Sequence, residues 1–170
     1  MNSLRSPIVL TIALGFGFGC IHTLFGMQDG PKTVQGEATH KSYGANFSRT
    51  TLMKWNFVRV DFADANFSRA TLILVTFPYT NLANVNFSQA TLRRVNFDGA
   101  ILTGANFFQA HLVETDLLAA ADLHGVNLYG VRGLSNKQLA QALARGAILR
   151  LPGRIGSEIV LEIINNLLEN

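Results

Sequence analysis

Between Ala45 and Leu117 the hydrophobic positions recur every five residues. Each fifth residue is Phe or Leu: Phe47, Leu52, Phe57, Phe62, Phe67, Leu72, Phe77, Leu82, Phe87, Leu92, Phe97, Leu102, Phe107, Leu112 and Leu117. Two places before each stands a small or β-branched residue such as Ala45, Val60, Ala65, Thr80 or Ala105, with Trp55 the exception. Asn, Asp or Thr usually fills the position between, as at Asn46, Asp61, Thr71 and Asn86. A period of five fits neither an α-helix nor an ordinary strand, whose repeats are 3.6 and 2. It predicts a solenoid, in which each unit stacks only on its neighbours. A longer period of twenty brings Phe47, Phe67, Phe87 and Phe107 into register, and likewise Leu52, Leu72, Leu92 and Leu112. Twenty residues made of four fives predict four sides per turn.

The tandem pattern (Ala/Val)-(Asn/Asp)-(Leu/Phe)-x-x resembles the pentapeptide-repeat proteins. The likeness runs through 45–117, and Ala121-Asp122-Leu123 and Val126-Asn127-Leu128 add two units after a one-residue slip. It implies an all-β solenoid, a right-handed quadrilateral β-helix of about four coils. The central Phe or Leu and the small residue two before it would point inward, and the other three positions outward. Trp55 departs from the small-residue rule in the first coil, where an open end would leave room for it. Coils stacked at one strand spacing, ~4.8 Å, would bring inward Phe rings into offset columns.

The flanks break the pattern. Residues 1–28 hold Arg5 and then no charge until Asp29, with an apolar run over 8–27. A positive start before an apolar core is the layout of a signal peptide or membrane anchor; the alternative is a buried helix plugging one end of the coil. Export or anchoring is the reading taken, because the uncharged run is long. Residues 29–44 read as a polar linker. The repeat is assigned to 45–132. Over 133–154, Gly133-Leu-Ser-Asn-Lys-Gln-Leu139 predicts a capping helix and turn, with Ser135 and Gln138 forming a capping box; the run resembles the tail that often follows such repeats. Residues 155–170 predict an amphipathic helix whose apolar stripe includes Ile159, Ile163 and Leu167. That stripe would pack back on the rod or pair two chains, and dimerisation near this end is common in the family the repeat resembles.

Composition narrows the function. The chain has 170 residues, a formal net charge of +3 and one cysteine, so an internal disulfide framework is excluded. Over 45–132 there are seven Lys or Arg against six Asp or Glu, which reads as a mixed-charge surface and argues against nucleic acid as a partner. Some proteins of the family the repeat resembles are acidic DNA mimics that bind topoisomerases; near-neutral charge and the apolar N-terminal run speak against that role. The Asn-Phe-Ser runs at Asn46, Asn66 and Asn86 match a glycosylation acceptor, but they are the repeat itself. His22, His40, His111 and His124 are scattered, and no nucleophile, metal set or phosphate loop stands out. No catalytic, cofactor or metal residue is therefore assigned. The outward positions that hold unexpected residues are Ile73, Leu74 and Val113, with Arg93 and Arg94 between them, and these form the candidate interaction surface. The function expected is a non-enzymatic scaffold or protein-binding rod, exported or membrane-anchored, for a protein partner left unnamed. The alternative is a cytoplasmic interaction protein of the DNA-mimic type.

Overall fold

The computed structural model describes residues 32–35 and 43–150. The expected apolar helix over 8–27, and Ile159, Ile163 and Leu167 in the expected last helix, lie outside the described residues.

The elements in order are β1 (Lys32–Gln35), β2 (Thr51–Met53), β3 (Trp55–Val58), β4 (Thr71–Ile73), β5 (Thr91–Arg93), β6 (His111–Val113), a 3-10 turn at Leu117–Ala119, and α1 (Asn136–Ala144). β2, β4, β5 and β6 pair in parallel, with Leu52, Leu72, Leu92 and Leu112 in register, twenty residues apart. β1 pairs in parallel with β3, Lys32 opposite Trp55. Single bridges tie the other sides: Asn46, Asn66, Asn86 and Asn106 form one column, and Asn56, Thr76, Asn96 and Asp116 another. Each circuit therefore has four sides, and backbone hydrogen bonds run from coil to coil.

Within the repeat the register changes once. Asn96 bridges Asp116 twenty residues on, whereas Ile101 bridges Asp122 and Asn106 bridges Asn127 at a separation of twenty-one. The 3-10 turn absorbs the added residue: Asp116 accepts a hydrogen bond from the Leu118 N–H, and Ala120 N–H donates to the Leu117 carbonyl. The Asn column also continues past the last repeat unit, because Asn127 bridges Ile148. Between those two residues α1 takes the place of further repeat sides.

The inward positions fill the coil without gaps in the pattern. Phe62, Phe67, Phe77, Phe87, Phe97 and Phe107 are fully buried, as are Leu72, Leu82, Leu92 and Leu102. Two columns of stacked rings run along the axis. Phe47, Phe67, Phe87 and Phe107 lie 4.6, 5.3 and 4.9 Å apart; Phe57, Phe77 and Phe97 lie 5.4 and 5.8 Å apart. The columns meet edge to face, as Phe87 meets Phe97 at 6.0 Å. Both arrangements are the ones the ring quadrupole favours. Trp55 is half-buried and stacks on Phe57 at 5.6 Å.

Corners need a left-handed residue. Arg49, Lys54, Arg69, Leu74, Gln89 and Arg94 all have φ between 51° and 58°, which costs an ordinary residue about 1 kcal/mol or more each. The coil retains them because each N–H is spent on the next coil, as Lys54 N–H donates to Ile73 O and Leu74 N–H to Arg93 O, both at 2.9 Å. Most corners also close on themselves, for example Ala90 N–H to Phe87 O at 3.0 Å. At the Leu92–Val95 corner the buried Thr115 hydroxyl bridges instead, donating to Leu92 O at 3.0 Å and accepting from Val95 N–H at 3.1 Å. The Thr80 hydroxyl likewise donates to Phe57 O. These are the two buried polar residues among those described. Threonine replaces Ala or Val there because a buried carbonyl needs a donor.

α1 seats on the end of the stack. Ser135 caps it, accepting from Gln138 N–H, while the Gln138 side chain accepts from Ser135 N–H. Ala142 is buried, and Leu139 and Leu143 pack against the core. Arg145 donates to the carbonyls of Leu118, Ala120 and Ala121 at 2.7, 2.6 and 3.2 Å, joining the helix end to the turn below it.

Candidate functional site

The sheet β2-β4-β5-β6 brings the five candidate surface residues onto one side of the rod and its corner. The pairing sets Met53, Ile73, Arg93 and Val113 in one row across the strands. One residue on, Lys54, Leu74, Arg94 and Glu114 line the corner. Strand alternation explains the outward aim: the preceding Leu of each strand is buried, so its neighbour faces out.

The apolar members do not form one unbroken patch. Met53 and Leu74 are 50% and 40% exposed, and Ile73 and Val113 are half-buried. Arg93 stands between Ile73 and Val113, and Arg94 turns along the corner to pair with Glu114 at 2.5 Å. That contact holds the Glu114 carboxyl below its usual range and raises Arg94, first through the hydrogen bond and then through the charge. Two further apolar residues at nominally outward positions lie elsewhere: Phe108 stacks on Tyr129 at 6.1 Å on the Asn-column side, and Leu118 packs on the core from the 3-10 turn. Sequence reasoning passed over Met53, the most exposed apolar side chain of this row; its signal was an outward apolar residue at the end of β2.

Charge is sorted by side. Arg49 and Arg69 line one long edge of the sheet, Lys54 and Arg94 the other, Arg93 stands in the middle, and Arg132 bridges to His111 at the end. Six of the seven cations between 45 and 132 thus surround this side, with Glu114 the one carboxylate of six. Asp61, Asp64 and Asp122 belong to the opposite side, where Asp61 bridges to Asn81 and Ile101 to Asp122. The near-equal total of the two signs remains true, but the sides differ: this one is cationic and the opposite one acidic, while Arg59, Asp98 and Asp116 share the side between them. Asp122 is held below the usual carboxylate range by the Thr103 hydroxyl at 2.5 Å and then by the His124 N–H.

The Asn column between these sides is structural. Each Asn Oδ1 accepts from the N–H two residues on, as Asn66 does from Ser68 at 2.9 Å and Asn86 from Ser88 at 3.0 Å. The amides also link coils, Asn127 donating to Asn106 at 3.2 Å. Their side chains are committed to turns. Among the described residues there is no group of three His, Cys, Asp or Glu placed to hold a metal ion, and no helix is long and apolar enough to cross a membrane.

Comparison with known proteins agrees with this architecture. The solved structure of Rfr23, a pentapeptide repeat protein from the cyanobacterium Cyanothece 51142, is similar at 23% identity and a TM-score of 0.51, over 55% of this chain and 76% of that one. HetL, a pentapeptide repeat protein involved in heterocyst differentiation regulation from Nostoc sp. strain PCC 7120, is similar at 26% identity and a TM-score of 0.52, over 58% of this chain and 40% of that one. QnrB1, a plasmid-mediated fluoroquinolone resistance protein, matches at 15% identity with a TM-score of 0.25, over 60% of this chain and 57% of that one, too distant to carry an argument. No curated protein matches the chain. The family profile described as a pentapeptide repeat region matches residues 44–130, so the chain belongs to the pentapeptide-repeat proteins, whose fold is the right-handed quadrilateral β-helix.

Proposed function

We propose that the chain is a non-enzymatic scaffold, a protein-binding rod exported or held at a membrane through residues 8–27. The observation that carries the scaffold reading is the continuous interior of stacked rings and branched carbons from Phe47 to Leu128. That core leaves the flat outer sides as the places where side chains vary and where a partner would be met. The apolar run before the rod supports the membrane location. A DNA mimic would present acid along a side, whereas the side with the densest charge here is basic. Fractionation of a tagged full-length chain tests the location: recovery with membranes after alkaline washing, or outside the inner membrane, supports it, and recovery as a soluble cytoplasmic protein refutes it. Residues 155–170 are proposed to pair two chains, and deleting them is expected to halve the mass in solution; an unchanged mass refutes the pairing.

A further inference from the structure

We infer that the β2-β4-β5-β6 side of the rod lies against an anionic lipid surface. Six cations against one carboxylate leave this side at +5, while Asp61, Asp64 and Asp122 lie opposite. The charges flank and interrupt an apolar row: Met53 lies beside Ile73, Val113 lies beyond Arg93, and Leu74 stands at the corner between Lys54 and Arg94. That is the layout of an interfacial surface, in which apolar side chains enter the headgroup boundary and Lys or Arg meet anionic headgroups. Four short strands in one register give a ladder roughly 14 Å across, which matches a plane better than a peptide. Long cationic side chains at both edges can reach down beside the apolar ones.

The entry of the chain points the same way. Lys32 pairs with Trp55 at the start of the neighbouring side. β1, which follows the apolar run 8–27 in the sequence, therefore begins beside the Lys54 corner, on the rim of this side. An anchor leaving there would bring this side, rather than the acidic one, to the bilayer. This step rests on the membrane-held reading above; the charge sorting does not. Nucleic acid also seeks cations, but it would leave four apolar side chains against phosphate.

The test uses the full chain with Cys20→Ser and a polarity-sensitive dye on Met53→Cys, or on Ala83→Cys on the opposite side. Vesicles are phosphatidylcholine alone or phosphatidylcholine mixed with phosphatidylglycerol. The expected result is a blue shift of the dye at position 53 with the mixed vesicles only, lost at high salt and lost with Lys54→Glu plus Arg93→Glu. Position 83 should stay unshifted throughout. An unshifted dye at 53 with anionic vesicles, an equal shift at 83, or an equal shift with neutral vesicles would overturn the assignment. A shift with duplex DNA and none with anionic vesicles would also overturn it and give the side to nucleic acid. Association with both vesicle types while 53 stays silent would sink this inference and leave the N-terminal tether standing; failure to associate with either would remove both.

Discussion

Phe87→Ala is the sharpest probe of the interior. The ring is fully buried, stacked between Phe67 at 5.3 Å and Phe107 at 4.9 Å, and met edge-on by Phe77 at 6.4 Å and Phe97 at 6.0 Å. Truncating a core Phe costs about 3–5 kcal/mol. Each ring pair adds about 0.5–1.5 kcal/mol beyond its area, so a residue with four ring neighbours belongs at the upper end, about 5 kcal/mol. Phe47→Ala is the matched control: among the described residues that ring has two ring neighbours, Phe62 and Phe67, and it is 7% exposed, which puts its cost near or below the lower bound of about 3 kcal/mol. A solenoid couples only nearest neighbours, so a gap in mid-rod should also split unfolding into separate steps, while one at the end should not. Urea unfolding followed by circular dichroism measures both. If Phe87→Ala does not fold, Phe87→Leu keeps most of the volume and should cost about 1–2 kcal/mol. The reasoning fails if Phe47→Ala costs as much as Phe87→Ala, or if Phe87→Leu is neutral.

Other substitutions test separate features. Thr115→Val keeps the shape but strips the bridge between Leu92 O and Val95 N–H; unpaired buried groups cost about 1–3 kcal/mol, and Thr115→Ser should recover most of it in the same urea assay. Gly99 sits at φ +64°, and an added Cβ would come within 2.5 Å of the Tyr79 ring, so Gly99→Ala should lose about 1–2 kcal/mol from the left-handed backbone and more from the ring, with Tyr79→Ala removing only the second part. Arg145→Ala removes three bonds between α1 and the turn, and hydrogen exchange should show α1 amides losing protection while the Phe columns hold. Glu114 has a lowered folded-state pKa, so its contribution is complete above the ordinary carboxylate range and is lost as pH falls through the lowered value; the gap in melting temperature between wild type and Glu114→Gln should close on acidification and shrink in salt.

The interior was legible because its rule is one-dimensional. A Phe or Leu at every fifth place, with a small residue two before it, can be buried only by a coil that turns a corner at each unit. The period of twenty then set the register that pairs Leu72 with Leu92 and aligns the Asn column. The candidate surface was read in part: Ile73, Leu74, Arg93, Arg94 and Val113 do share one side and its corner, yet Arg93 interrupts the apolar row, and Arg94 is taken by Glu114. The count of seven cations to six acids was correct and still misled, since it pooled sides that face opposite ways.

What the chain alone decided is the choice of inward residue, because burying a ring is a property of that residue and its spacing. What needed the tertiary structure is everything that depends on neighbours twenty or more residues away. Thr115 looks like any small inward residue until the open Leu92–Val95 corner is set beside it. The added residue near Leu117 looks like a fault until the 3-10 turn absorbs it and the ladder goes on through Asn127 to Ile148. The segregation of cations exists only once the coils are stacked, because charge on a surface is a matter of which residues share a side and not of how many the chain contains.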